Sequence, residues 1–263
     1  MNPRRIVVVP TYNEAPALPL LLPLTRRAAP EFEILIVDDN SPDGTGRIAE
    51  DAARADPAVS VLHRPGKMGL GAAYIAGFRE ALARGAEEVF EMDADLSHNP
   101  IYLPALAAGL GEADLVIGSR YVDGVRVNNW PFRRLLLSKA ANLFAAVSTG
   151  IGPSLVSDVT SGFRGYRREA LNAVGLDSVR SDHYAFQVEM VYRCHRLGMR
   201  IQEVPIVFEE HHLSESKLSK QVIWEAMWKI PLLPLIVAWE RPPRARAGAA
   251  PSDGSAPAHR PTK

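Results

Sequence analysis

Three short apolar runs, residues 6–9, 32–37 and 59–63, each stop at polar residues and alternate with stretches that suit helices. Uninterrupted runs of this length belong in a sheet buried on both faces, and strand–helix alternation makes that sheet parallel. Pro10-Thr11-Tyr12-Asn13-Glu14 follows the first run, and Asp38-Asp39-Asn40-Ser41-Pro42-Asp43-Gly44-Thr45 follows the second. Residues 18–29, despite Pro19 and Pro23, and residues 45–55 read as helices, with another at 72–83. A further strand, 87–92, runs out into Asp93-Ala94-Asp95, and one at 113–120 ends at Arg120. The expected fold is an α/β doubly wound, mostly parallel sheet with helices on both faces. Such a sheet binds ligands outside the carboxyl ends of its strands, where Tyr12, Glu14, Asp38, Asp39, Asp93, Asp95 and Arg120 converge.

Residues two apart in an extended segment point the same way. Asp93 and Asp95 can therefore face one hard divalent cation whose other positions go to substrate phosphates. The competing reading is that Asp95 or Ser97 caps a helix opening at Pro100. Gly66-Lys67-Met68-Gly69-Leu70-Gly71 has neither the order of a nucleoside-triphosphate loop nor the spacing of a dinucleotide loop, which excludes both classes; its glycines serve a helix entry or a ligand. Arg134 and Ser138 lie one turn apart on a helix that also carries Trp130, Arg133 and Lys139. They can grip one anionic group, or belong to a solvated basic face. Arg164 suits a carboxylate at the core edge, and Gln187 and Glu189 share a helix with apolar Phe186 and Met190.

The 263 residues, 47% of them hydrophobic, can bury one large core. Thirty basic and thirty acidic residues cancel, so no net field argues for nucleic acid, and attraction to phosphate must be local. Cys194 is the only cysteine, which excludes an internal disulfide and a cysteine-rich zinc site and fits a reducing cytoplasm. The apolar run after Arg5 is too short for a signal peptide.

In order along the chain, P-T-Y-N-E (10–14), V-D-D-N-S-P-D-G-T (37–45), G-L-G (69–71), M-D-A-D-L-S-H (92–98), G-S-R-Y (118–121), S-G-F-R (161–164) and S-K-L (216–218) resemble the dolichyl-phosphate mannosyltransferases, or polyprenol monophosphomannose synthases. These are a branch of the inverting GT-A glycosyltransferases of family two. The resemblance implies a GT-A catalytic domain over residues 1–220 that moves mannose from GDP-mannose to a polyprenyl (dolichyl-type) phosphate, with Mg²⁺ or Mn²⁺. It implies a nucleoside pocket at Pro10, Tyr12, Glu14, Val37 and Asp39, and a metal and diphosphate site at Asp93, Ala94, Asp95 and Ser97. Arg120, Arg134 and Ser138 match positions that hold the lipid phosphate, with Arg164, Gln187, Glu189, His211 and Lys217 as further donor-site candidates. Asp95 and Arg120 would carry catalysis. A polyprenyl phosphate oxygen is already anionic at neutral pH, so no general base is assigned.

The chain departs from the family at His211 and Ser214, where relatives carry arginine and glycine. A histidine is only partly charged near neutrality, so its hold on phosphate weakens as pH rises. Two alternatives stay open: a UDP-glucose donor with the same acceptor, or a non-catalytic subunit of the same fold. The second should have lost Asp93, Asp95 or Arg120, and all three are present.

Residues 221–229 read as helical and 230–239 as an apolar stretch broken by Pro231 and Pro234, too short to span a bilayer. Segment 221–240 either binds the membrane surface, with Trp224, Trp228 and Trp239 as anchors, or packs against the domain or an integral membrane partner protein. The Pro-, Ala- and Gly-rich residues 241–263 read as a disordered tail. The expected location is cytoplasmic, peripheral at the inner face of the cell membrane.

Overall fold

The first half of the chain alternates strand and helix: β1 (Arg5–Thr11), α1 (Leu18–Ala28), β2 (Phe32–Asp38), α2 (Thr45–Ala55), β3 (Val59–His63), α3 (Leu70–Ala83) and β4 (Glu88–Glu91). Then come α4 (Leu103–Gly109), β5 (Leu115–Ser119), β6 (Val127–Asn128), α5 (Phe132–Thr149) and β7 (Arg164–Arg167). The chain continues through α6 (Arg168–Val174), α7 (His183–Arg196), β8 (Ile201–Pro205), β9 (Phe208–Glu209) and α8 (Lys220–Trp239). The structure is a computed structural model and describes residues 3–128, 130–152, 154–209 and 220–239. His211, Ser214, Lys217 and the tail expected beyond residue 241 lie outside the described residues.

Seven strands form one sheet in the order β3-β2-β1-β4-β7-β5-β8, and β6 pairs with β9 beside it. Every neighbouring pair in the large sheet is parallel except those of β7, which runs antiparallel to both β4 and β5. The direction of winding reverses between β1 and β4, the place where a doubly wound sheet opens a crevice. Because β7 runs backwards, its first residue, Arg164, pairs with Glu91 at the end of β4. The loop before β7 is thereby brought to the same edge as the ends of the parallel strands.

Strand alternation divides the core into two layers. Ile6, Val8, Leu35, Val37, Val89, Leu115 and Ile117 face Tyr74 and Phe78 of α3 and Phe186 and Met190 of α7. Val7, Val9, Ile34, Ile36, Phe90 and Val116 face Leu18 and Leu21 of α1 and Leu103 and Leu106 of α4. Both faces are covered, so the strand runs are apolar throughout.

At the C-terminal end, α8 continues through Pro231 and Pro234 instead of stopping at residue 229. A proline inside a helix costs about 3 kcal/mol. Against that, Ile230 and Leu233 are buried where α8 meets α7 and α5, each contributing about 1.5–3 kcal/mol. The terms are of one order, and the helix persists. No helix among the described residues is long and apolar enough to cross a membrane.

Candidate active site

The carboxyl edge of the sheet is a row of loops whose order follows the strands. Past β2, Asp38 closes its own turn by accepting the Ser41 hydroxyl at 2.6 Å. Asp39, nearly buried, accepts Arg64 Nη1 at 2.7 Å and the Met68 N–H at 3.3 Å. Burial pushes the Asp39 carboxyl above its usual value, with Arg64 opposing. Past β1, the Lys67 ammonium sits 4.4 Å from the centre of the Tyr12 ring. Glu14 is buried, and its N–H donates to Thr45 Oγ1 at 2.9 Å, tying this loop to the start of α2.

Past β4, Asp93 Oδ1 accepts the Tyr74 hydroxyl at 3.0 Å, and the Asp93 N–H donates to His98 Nδ1 at 3.0 Å. That bond makes His98 Nδ1 an acceptor, so its proton resides on Nε2 and its approach to the Asp93 carboxylate is not an ion pair. Asp95 Oδ1 accepts both the hydroxyl, at 2.6 Å, and the N–H, at 3.1 Å, of Ser97. These bonds close a turn over Leu96, which takes a left-handed backbone at φ 66°. The capping role weighed for Asp95 or Ser97 falls instead to Asn99, whose Oδ1 accepts the Ile101 N–H at 3.1 Å.

Past β5, Arg120 forms a buried fork with Asp158: Nε to Oδ2 at 2.7 Å and Nη2 to Oδ1 at 2.6 Å. Nη2 also reaches Thr160 Oγ1 at 2.9 Å. Burial works to raise the Asp158 carboxyl, but Arg120 wins and holds it below its usual value. The Arg120 guanidinium lies 5.4–5.6 Å from the ring centres of Tyr121, Trp130 and Phe208. Arg134 stands 4.5 Å from the other neighbour of this group, Trp130, and Tyr121 donates to Ser138 Oγ at 2.6 Å. Arg120, Arg134 and Ser138 thus share one aromatic cluster.

The acidic and basic groups meet. Buried His98, whose imidazole burial pushes below its usual value, lies close enough to feel Asp93, Asp95, Arg120 and Asp158. A cleft of about 390 Å³ runs along the edge, lined among others by Pro10, Tyr12, Asp39, Lys67, Asp93, Thr160, Gly162, Tyr184 and Gln187. Its chemistry suits an anionic ligand spanning a metal. Asp93 lines the cleft and Asp95 lies two residues on, oxygen donors of the kind a hard divalent ion takes.

Several sequence candidates stand elsewhere. Arg164 is fully buried, and its guanidinium donates to the carbonyls of Ser161, Val159 and Gln187 at 2.7–2.8 Å. It holds the pre-β7 loop to α7, and its charge acts on the Glu91 carboxyl at the end of β4, so it is spent inside the fold rather than on a ligand. Glu189 is likewise buried, bound to Arg193 at 2.7 Å and to the Ser181 N–H at 3.0 Å, so it braces α7 behind the cleft. Both corrections have one cause: helical and strand periodicity turns these residues inward, where a charge must be paired by the scaffold. Val37 and Ala94 are buried too, so only their backbone can meet a ligand. Sequence reading missed Lys67, Asp158, Thr160 and Tyr184 as site residues. S-G-F-R was visible, but Asp158 precedes it and the partner that gives Asp158 its role lies 38 positions away.

Residues 6–175 match the model of glycosyl transferase family 2. The chain belongs to glycosyl transferase family 2. This family 2 chain is 48% identical over 245 residues to the undecaprenyl-phosphate mannosyltransferase of Micrococcus luteus, covering 93% of this chain and 99% of that one. It is 48% identical over 229 residues to the polyprenol monophosphomannose synthase of Mycolicibacterium smegmatis, covering 86% and 85% of the two chains. Its fold is similar, at a TM-score of 0.64, to glucosyl-3-phosphoglycerate synthase of Mycobacterium tuberculosis, crystallised with Mn²⁺, UDP and phosphoglyceric acid. That likeness, at 19% identity over 90% of this chain and 78% of the other, identifies the GT-A architecture.

Proposed function

We propose that this family 2 protein transfers mannose from GDP-mannose to a polyprenyl phosphate, releasing GDP and inverting the anomeric carbon to give a β-linked mannosyl phosphate. The observation that carries the reading is the meeting, on one sheet edge, of the Asp93/Asp95 pair with the Arg120, Arg134 and Ser138 cluster. The two mannosyltransferase relatives supply the sugar and the acceptor class.

The chemistry is electrostatic. Two anions, a nucleoside diphosphate and a lipid phosphate, must come together against their repulsion. Asp93 and Asp95 would hold a divalent ion such as Mg²⁺ or Mn²⁺, which would lend positive charge to the diphosphate. Tyr12 and Asp39 take the nucleoside, and Lys67 beside Tyr12 gives that end of the cleft a cation. Arg134 and the outer face of Arg120 receive the acceptor phosphate, while Asp158 fixes the direction of the Arg120 fork. The acceptor oxygen carries its own negative charge, so no side chain has to remove a proton.

The acceptor's hydrocarbon chain needs an apolar surface next to this cluster. On α5, Phe132, Leu136 and Val147 are 76%, 60% and 65% exposed, and on α8, Trp224 and Leu235 are 71% and 69% exposed. These two helices pack together, and together they seat the protein on the bilayer in which the polyprenyl chain is held. The Trp239 side chain lies outside the described residues. A charged nucleotide sugar does not cross a bilayer unaided, so the enzyme works at the cytoplasmic face. The test is incubation of the purified protein with GDP-mannose, Mg²⁺ and a polyprenyl phosphate, with UDP-glucose in parallel, followed by mass measurement of the lipid. A mannosylated lipid from GDP-mannose is expected; absence of any hexosyl lipid would overturn the reading.

A further inference from the structure

The floor of the cleft contains a polar group whose surroundings specify its ligand. Gln187 lines the cleft at 3% exposure, and its amide Nε2 donates to Glu91 Oε2 at 2.8 Å. The other Glu91 oxygen accepts the Tyr166 hydroxyl at 2.9 Å. When Glu91 is ionised it favours this orientation of the amide, since the reverse would set oxygen against oxygen. Gln187 Oε1 is left buried with no hydrogen-bond partner. An orphaned acceptor of this kind costs about 1–3 kcal/mol unless something supplies a donor.

Gly162 stands over the Nε2 side of the amide. Its φ is not in the left-handed region, so backbone conformation does not demand glycine there. A Cβ at 162 would lie 3.3 Å from Gln187 Nε2 and 3.9 Å from its amide carbon, over the group itself. The missing side chain leaves room beside the amide, and Gly162 lines the same cleft.

Position along the edge narrows the ligand. The strand order β2, β1, β4, β7, β5 sets Asp39, Tyr12, Asp93, Gly162 and Arg120 in that sequence along the sheet edge, the first four lining the cleft. Gln187 and Gly162 fall between the acidic pair and the arginine cluster. An acceptor oxygen needs a donor, which an ionised phosphate lacks and a sugar hydroxyl supplies. We propose that Gln187 Oε1 accepts a hydrogen bond from a hydroxyl of the donor's hexose and thereby selects the sugar. This rests on the cleft being the nucleotide-sugar site.

The experiment is calorimetric titration with Mg²⁺ and no acceptor, using GDP, GDP-mannose and a set of GDP-deoxymannoses each lacking one hydroxyl. The unmodified protein should lose about tenfold in affinity for one deoxy donor, the worth of a hydrogen bond. Gln187→Met should lose a similar factor for GDP-mannose, show no further loss with that same deoxy donor, and bind GDP normally. Gly162→Ala, which pushes on the amide without removing it, should reproduce the selective loss and serves if Gln187→Met does not fold. Equal weakening of GDP and GDP-mannose in the variants would make Gln187 merely structural and overturn the inference. So would unchanged GDP-mannose binding, or indifference of the unmodified protein to every deoxy donor. Failure of the unmodified protein to bind GDP would remove the donor site itself, and this inference with it.

Discussion

Replacing Asp158 by asparagine keeps its shape and removes its charge, leaving Arg120 as a buried cation without a counter-ion. Asp158 is fully buried and Arg120 is 6% exposed. Losing one partner of such a pair costs about 3–5 kcal/mol. The aromatic faces of Tyr121, Trp130 and Phe208, and Thr160 Oγ1, remain to hold the guanidinium, so the lower end applies, about 3 kcal/mol. At about 2–4 °C per kcal/mol for a chain of this size, melting should fall by about 6–12 °C. Adding Arg120→Met should restore most of this, because neither charge is then stranded and the asparagine oxygen can still accept the residue 120 N–H. The double variant should nevertheless bind polyprenyl phosphate poorly. Thermal unfolding by circular dichroism at pH 7, with acceptor KM alongside, reads both effects. A melting point for Asp158→Asn within about 1 kcal/mol of the unmodified protein, or a double variant no more stable than the single, would refute the argument. The pH dependence has a defined sign. The folded Asp158 carboxyl is held below its ordinary 3.8, so its contribution is complete above that value and drains away as pH falls through the lower folded one.

Three further outcomes follow from the site. Asp95→Ala should stay folded by far-ultraviolet circular dichroism yet lose roughly a thousandfold in kcat, since several kcal/mol of charge stabilisation goes with it; near-normal metal-dependent turnover would contradict this. Glu91, pushed by burial from 4.5 to about 7, binds a proton in the folded chain before the unfolded one does. Its share of stability is greatest below 4.5 and is lost as pH rises to about 7, and Glu91→Gln should flatten that slope in pH-dependent unfolding; an unchanged slope would exonerate Glu91. The Trp130 indole N–H is buried with no hydrogen-bond partner among the described residues, beside both Arg120 and Arg134. Trp130→Phe keeps an aromatic face and removes only the donor, so acceptor KM should rise about tenfold while GDP affinity stays put; loss of both together would point to general disorder instead.

What was legible in the sequence depended on whether the information was local. Helix α2 and strand β3 begin and end where sequence reading put them, because Asp43 accepts the Thr45 N–H at 3.0 Å at one boundary and Asp56 accepts the Ala58 N–H at 2.9 Å at another. Strand β7 was not foreseen. Arg-Gly-Tyr-Arg has no apolar run, and it is a strand because β4 and β5 leave a gap that its backbone fills. The order of the edge loops could be read as convergence but not as sequence, since β7 enters between strands made much earlier. Arg164 was the hardest to place. A charged residue next to a glycine loop looks like a ligand contact, and only the three carbonyls turned toward it show that the fold itself consumes its donors.

On the proposed function, the inserted antiparallel strand would also keep donor and acceptor at a fixed separation. Had β5 followed β4 directly, Arg120 would stand one strand spacing from Asp93, about 5 Å, too close for a sugar between two phosphates. With β7 between them the spacing is about 10 Å, and the gap is floored by Gly162 and Gln187 rather than by charge. The loop before β7 supplies Gly162 of that floor and Asp158, so one segment borders the gap and aims the arginine across it. Shifting this segment should therefore disturb sugar binding and acceptor binding together, whereas changes at Tyr12 or Asp39, two and three strands away, should alter the nucleoside end alone.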